Sequence, residues 1–238
     1  MKKIFLLFAV AFSVGAFAQQ PTVINDKNAE KRNVGSFHGL NVSDGIDLFL
    51  SSGNEAVAVS ASDQKYRDKI MTTVEDGILK IWYKNDIGHI LSSENRKLRA
   101  YISYKQLDML TASSGCDVKV DGIIKSDKFA LHVSAGSDFS GKVDVNELKI
   151  NQHSGSDIDI EGSANTVFIE GSSGSDFNGY KLISDVANID VSGGSDVEIT
   201  VNKELSAKAS GASDINYKGS PSVKESHSSG ASSISKKS

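Results

Sequence analysis

The sequence predicts an all-β protein, a right-handed parallel β-helix (a β-solenoid) of about 19-residue coils closed by an irregular N-terminal cap with one short helix. Three observations predict it. A Ser-Gly-Ser-Asp turn recurs along the second half of the chain at nearly constant spacing. Apolar and polar residues alternate on both sides of each turn. Serine and glycine are abundant, 37 and 21 of 238 residues, whereas there are 2 Pro and 1 Cys. Such bulk Ser and Gly without proline is either a flexible linker or a recurrent turn, and the periodicity decides for the turn.

The turn sequences begin at Ser113, Ser134, His153, Ser172, Ser192 and Ser210, with a shorter copy from Gly230. Their aspartates are Asp117, Asp138, Asp157, Asp176, Asp196 and Asp214, and Ser233 takes the place in the last copy. The spacings are 21, 19, 19, 20, 18 and 19. After each Asp comes an apolar residue: Val118, Phe139, Ile158, Phe177, Val197, Ile215, then Ile234. Seven before each Asp stand Leu110, Leu131, Ile150, Ile169, Ile189 and Ala207. From Asp157 to Glu161, isoleucines face one side and acids the other, the period of a strand. Two short strands per copy, one on each side of the turn, follow. Only a parallel stack, in which each coil lies about 4.8 Å from the last, demands the same residue type every 19 positions. Glycine two before Asp (Gly115, Gly136, Gly155, Gly174, Gly194), with Ala212 and Ala231 later, suits a left-handed turn.

Upstream the pattern is less regular. Strands are expected at 40–42, 45–50, 56–60, 71–74, 78–83 and 96–104, with Asp76 and Gly77 as a hairpin turn. A helix is expected at 63–71, capped by Ser62 and placing Tyr66 and Ile70 on one face. A polar linker follows at 85–94. The expected organisation is a signal peptide at 1–18, a flexible segment at 19–34 and a single domain at 35–238. Within it, 35–110 forms the cap and first strands and 111–238 the regular repeats.

Residues 1–18 have the form of a cleavable export signal. Lys2 and Lys3 precede an apolar run from Ile4 to Phe12, and Ala16 and Ala18 supply the small residues before cleavage at Gln19. The run is shorter than the roughly 20 apolar residues of a membrane span. The expected location is therefore exported: periplasmic, outer-surface or secreted. Loss of the two signal lysines takes the net charge from −4 to −6, which disfavours nucleic acid and anionic membrane as partners.

The stretch Leu40–Leu50, followed by Val57–Ala61 and Thr73–Ile81, resembles the start of the putative auto-transporter adhesin "head GIN" domain family. The later Ser-Gly-(Ser/Ala)-Asp repeats are similar to the body of that family. The resemblance runs from about Gly35 to the C-terminus and implies an exported bacterial β-helical protein with an adhesin-like, non-catalytic role. It brings no catalytic residues. The partner it implies is a surface glycan or an envelope protein.

The candidate ligand-binding residues are Asp138, Asp157, Asp176 and Asp196 of the repeated column, with Trp82 and Tyr101 of the aromatic-rich cap. Stacked carboxylates about 5 Å apart repel, and a bound cation would relieve them. The alternative is that each caps backbone N–H groups of its turn. Exposed Trp82 and Tyr101 would stack on sugars; otherwise they close the core. Cys116 stands where other copies have serine, so it reads as a small turn residue. The five histidines show no metal-ligand spacing, and no Gly-x-Ser-x-Gly elbow marks a hydrolase. No cofactor is called for. An envelope structural or assembly protein acting by self-association is the second function class. A β-helical polysaccharide lyase or hydrolase, using Asp157/Asp159 or Asp196/Glu198, is the third.

Overall fold

The computed structural model describes residues 26–85 and 95–238. The signal segment, and all but Asn85 of the polar linker, lie outside the described residues. The strands are β1 (Glu30–Arg32), β2 (Gly39–Val42), β3 (Asp47–Ser52), β4 (Ala56–Ser60), β5 (Ile70–Glu75), β6 (Ile78–Tyr83), β7 (Arg99–Tyr104) and β8 (Met109–Ala112). They continue as β9 (Asp117–Ser134), β10 (Asp138–His153), β11 (Asp157–Ser172), β12 (Asp176–Val191), β13 (Asp196–Ala209), β14 (Asp214–Gly219), β15 (Ser222–Ser228) and β16 (Ser233–Lys236). One helix, α1 (Gln64–Arg67), lies between β4 and β5. The architecture is a β-solenoid of about seven turns with coils of about 19 residues.

The stack is in register. Asp138 lies opposite Asp117 below and Asp157 above, and the pairing continues through Asp176, Asp196 and Asp214 to Ser233. Where two strands per copy were expected, β9 to β13 each run unbroken from one turn to the next. Continuity comes from the alternation. In β10, Phe139, Val143 and Val145 point inward, Asn146 and Glu147 both lie outside, and Leu148, Ile150 and Gln152 point inward again. Turning this corner therefore costs one break of phase, after which pairing with β11 resumes in the same register at Glu147; elsewhere coils of unequal length are absorbed by register shifts, as between Ser140 and Lys142 against β9. The core is one cluster running from Phe37 to Ile215.

Large and small side chains are matched within coils. Phe139 and Phe177 are each followed two residues later by Gly141 and Gly179, whereas Ile158 and Val197 are followed by Ile160 and Ile199. A Cβ on Gly179 would lie 2.4 Å from the Phe177 ring, and one on Gly141 2.9 Å from the Phe139 ring. Phe139 fills the volume that Ile158 and Ile160 fill in the next coil, and Phe177 the volume that Val197 and Ile199 fill, as close packing requires.

The N-terminal half contains a hidden coil. β2 and β3 form a full layer beneath β8 and β9, with Leu40 against Leu110 and Leu48 against Val118. On its other side the layer carries β6 and β7, also parallel to it. The chain thus lays down this coil, steps outward to build the layer that covers it, and returns past buried Leu107 to start β8. Antiparallel β5 (on β6) and β4 (on β7) finish the cap. Glu30–Arg32, inside the segment expected to be flexible, pairs as β1 with β4.

The helix is shorter than expected. Asp63 is its N-cap, accepting from the Lys65 N–H at 2.9 Å, because the Ser62 backbone is held by the Arg96 carbonyl. It ends at Arg67, since Ile70 to Glu75, rich in β-branched residues, pairs with β6 across the Asp76-Gly77 turn. Sheet pairing outweighs helical spacing here.

The size matching has a measurable consequence. Gly179→Ile should cost about 1–3 kcal/mol by overpacking, and Phe177→Ile should leave a cavity. Together they recreate the neighbouring Ile158/Ile160 coil. Urea denaturation of both singles and the double is expected to show a favourable coupling of at least about 1 kcal/mol; simple additivity would contradict the packing account.

Candidate functional site

Six of the turns are made by two successive left-handed residues. They are Asp44-Gly45, Ser114-Gly115, Ala135-Gly136, Ser154-Gly155, Ser173-Gly174 and Gly193-Gly194, with φ from 54° to 85°. The expected left-handed glycine is present, and the residue before it shares the conformation, a local strain in five non-glycine cases. In the last two turns Ala212 and Ala231 are not left-handed. Gly211 and Gly230, one position earlier, carry the positive φ instead.

The serine directly before each Asp faces inward. Ser137, Ser156, Ser175, Ser195 and Ser213 are buried. Their hydroxyls join coils: Ser137 Oγ accepts the Cys116 N–H at 3.0 Å, Ser156 Oγ donates to the Val133 carbonyl at 3.0 Å, and Ser213 Oγ accepts the Ser195 N–H at 3.1 Å. These bonds satisfy turn groups that the ladder alone would orphan. Cys116 takes its place in this column as expected. Burial pushes its thiol up to about 11, so little thiolate exists near neutral pH. A thiol-specific reagent at pH 8 should leave native Cys116 unreacted for as long as the protein stays folded, and modify it promptly in denaturant. Rapid native labelling would contradict its burial.

The aspartates line the outer edge of the turns. Asp117, Asp138, Asp157, Asp176 and Asp196 are exposed, and the column has one more member than expected. Asp47 lies in register with Asp117, and Ser43-Asp-Gly-Ile-Asp47 is the same turn with Ile46 in the serine position. The signal was present in the sequence; Asp for Ser and Ile for Ser hid it. Burial, followed by the Asp117 charge, raises the Asp47 carboxyl above its ordinary range. Asp138 is raised by burial and then by Asp157 and Asp117, and Asp157 by burial and then by Asp176 and Asp159. Toward the C-terminal end the carboxylates accept from the coil above. Asp196 Oδ1 accepts the Asp214 N–H at 3.2 Å, and Asp214 Oδ1 accepts the Ser233 N–H at 3.1 Å. This is backbone capping, directed to the next coil where the sequence suggested the same turn. Among the described residues no three His, Cys, Asp or Glu side chains converge as metal ligands.

Elsewhere on the exterior, acids alternate with lysines. Lys142 and Lys181 flank Glu161 at 3.1 and 2.8 Å, Lys203 meets Asp185 at 2.8 Å, and Lys128 meets Glu147 at 3.5 Å. The aspartate edge is the longest run in which like charge stacks on like charge, and Glu170 on Asp190 is a shorter one. Asp157/Asp159 and Asp196/Glu198 each lie on one outer face two residues apart. Asp138/Ser140 and Asp176/Asn178 occupy the same positions in other coils, so these acid pairs follow from the strand period.

At the capped end the aspartate column meets Arg99, opposite Asp47. Tyr101 is half-buried. Its ring stacks on Phe49, with centroids 5.2 Å apart and planes 20° apart, and its hydroxyl donates to Asp26 Oδ2 at 2.9 Å. Burial opposes ionisation of Asp26, but hydrogen bonds from Asn28, Ser60 and Tyr101, with the Arg99 charge, hold its carboxyl low. Burial and then Asp26 push Tyr101 up. Tyr101 thus ties the N-terminal segment to the cap. Trp82 is half-buried on β6 opposite Met71. The structure does not bring Trp82 into the aspartate column. An open cavity of about 530 Å³ lies beside Asp44, Asp47, Arg96, Lys97 and Arg99.

These features define a class: a β-solenoid whose interior repeats and whose outer columns offer a long array of polar side chains. The chain belongs to the family described as putative auto-transporter adhesin, head GIN domain, whose model matches residues 36–221. It is similar in structure to a putative adhesin from Bacteroides fragilis, with TM-score 0.80 at 15% identity, covering 87% of this chain and 95% of that one. A putative lipid binding protein from Parabacteroides distasonis has TM-score 0.67 at 18% identity, with 90% and 98% covered. A putative adhesin from Parabacteroides merdae has TM-score 0.63 at 14% identity, with 88% and 95% covered. A comparison with curated proteins returned no match. Among the described residues no helix is long and apolar enough to cross a membrane.

The sign of the carboxyl shifts sets a pH test. A carboxyl raised in the folded state favours folding below its unfolded pKa, and that contribution is lost as pH rises through the folded value. At pH 7 the charged column is therefore a cost. Asp157→Asn should stabilise by about 0.5 kcal/mol at pH 7 after solvent screening. The gain should vanish near pH 3, about where the wild type is itself protonated. Thermal melts at the two pH values check this, and a loss of stability at pH 7 would contradict it.

Proposed function

We propose that this protein is an exported, non-catalytic binding module of the cell envelope, adhesin-like in action, which holds a glycan or a protein surface against its outer columns. One observation carries the reading. In-register coils hold the backbone rigid while outward side chains vary from level to level, as in the series Lys119, Ser140, Asp159, Asn178, Glu198 and Asn216. Such an array offers preorganised polar contacts at fixed spacing, so little ordering entropy is lost on binding. The family description and the adhesin names of similar structures support the same role. Asp138, Asp157, Asp176 and Asp196 are contact candidates on the turn edge. Trp82 and Tyr101 are candidates at the cap, Tyr101 the less available because its hydroxyl and ring are both engaged.

A second reading, self-association, has one specific observation in its favour. Strand β15 is exposed along its whole length and pairs on one side with β13, so it offers a free backbone edge. Size-exclusion chromatography with light scattering separates the two. A monomer across the concentration range is expected, and a concentration-dependent oligomer abolished by Val223→Pro would favour assembly.

The binding reading predicts retention of at least one oligosaccharide or envelope protein by the immobilised chain from residue 26 onward. It also predicts no new reducing ends when acidic polysaccharides are incubated with the protein. Polysaccharide cleavage abolished by Asp157→Asn would overturn the non-catalytic reading.

A further inference from the structure

The outer face of the second half of each coil carries two parallel columns. One runs Ala130, Lys149, Phe168, Asn188 and Ser206; the other runs His132, Asn151, Glu170, Asp190 and Lys208. Phe168 interrupts its column with an exposed ring. Phe129, Phe139 and Phe177 are buried in the core, whereas Phe168 is 37% exposed and is the aromatic member of the exposed large apolar residues among those described. A single exposed apolar residue is ordinary. What distinguishes Phe168 is its setting, because it forms one wall of a groove of about 180 Å³ that also includes Glu170, Asn188, Asp190, Ser206 and Lys208.

The placement follows from sheet geometry. Phe168 and Asn188 are register neighbours, as are Glu170 and Asp190, so the four occupy the corners of a patch about 5 Å across coils and about 7 Å along the strand. One corner is an aromatic face, and two others are carboxylates that accept hydrogen bonds from hydroxyls. The fourth is an amide that both donates and accepts. Lys208, at the far side, is paired with Glu225 at 3.2 Å, which spends most of the groove's positive charge. An aromatic face beside several acceptors, with acids in excess, suits a ligand with an apolar C–H face and a rim of neutral hydroxyls.

We propose that this groove binds a sugar ring of a neutral glycan, stacked on Phe168 and hydrogen-bonded by Glu170, Asn188 and Asp190. This rests on the binding reading above and narrows it to one face and one ligand class. Acidic glycans are excluded by charge, since a uronate carboxylate would enter between Glu170 and Asp190.

The test is a titration of the chain from residue 26 onward with neutral gluco-, galacto- and manno-oligosaccharides and with an oligogalacturonate. It is followed by calorimetry and by saturation transfer from the protein to the sugar protons. Wild type is expected to bind at least one neutral oligosaccharide. Phe168→Ala should weaken it roughly tenfold, the loss of one aromatic stack, while the variant keeps a single cooperative melt with a modest fall in melting temperature, because the ring lies on the outer face and not in the core. Asp190→Asn should weaken it less, and Lys125→Gln, on a distant rung, should leave it unchanged. Neutral-glycan binding unaffected by Phe168→Ala would overturn the site while leaving the glycan reading intact. Preference for the oligogalacturonate would overturn the ligand class. Failure of every oligosaccharide to bind wild type would overturn both the inference and the glycan arm of the proposed function.

Discussion

The stacking of each coil on its equivalent is the constraint on which the rest of this structure depends. Backbone groups of one coil are satisfied by the coils above and below, so residue identities are tied at intervals of about 19. A turn that fits one level must fit all of them. That is why a left-handed pair recurs in six successive turns, giving way to a single left-handed glycine at Gly211 and Gly230, and why the serine before each Asp lies inside, where its hydroxyl completes bonds between levels. The same constraint explains why Phe-Gly coils alternate with Ile-Ile and Val-Ile coils, because a second large side chain beside either Phe would clash with it.

Interior and exterior accordingly obey different rules. Inside, the columns are nearly all apolar or small, and even Cys116 is buried among them. Outside, identity is free as long as charge is managed. Some outer positions manage it by setting lysine beside acid on the next coil, as at Lys142, Glu161 and Lys181. The aspartate edge instead keeps its repulsion at Asp47, Asp138 and Asp157 and offsets it only toward the C-terminal end, where Asp196 and Asp214 accept backbone N–H groups from the next coil. Departures from column uniformity on the outside, such as Phe168, are the places where a ligand can be told from a scaffold.

Much of the solenoid was legible because its signal is repetition. The aspartate positions from 117 to 214, the inward apolar columns and the Asp76-Gly77 hairpin all follow from spacing and alternation. The first coil was hidden because Asp44 and Ile46 replace the expected serines, although the αL pair and inward side chain need only a permissive residue and a small or apolar one. The order of layers at the capped end was also out of reach. It is set by which strand β2 and β3 pair with, and such long-range choices leave no local pattern. The inward direction of the motif serines was missed for a related reason: alternation says which residues share a face, and a turn breaks the count. Phe168 was visible as a residue, but its exposure depends on the corner at which the phase changes.

If register between equivalent positions is what holds the protein together, removing one whole coil should be tolerated and removing half of one should not. Deleting Asp138–Ser156 joins Ser137 to Asp157, restores an intact turn and sets Val118 beneath Ile158. Circular dichroism with urea denaturation is the direct measurement. The coil deletion is expected to keep the β-sheet spectrum and a single cooperative transition, whereas deleting Asp138–Leu148 should abolish both, as a nearest-neighbour stack requires. Equal behaviour of the two deletions, or loss of structure in the whole-coil variant alone, would contradict the account.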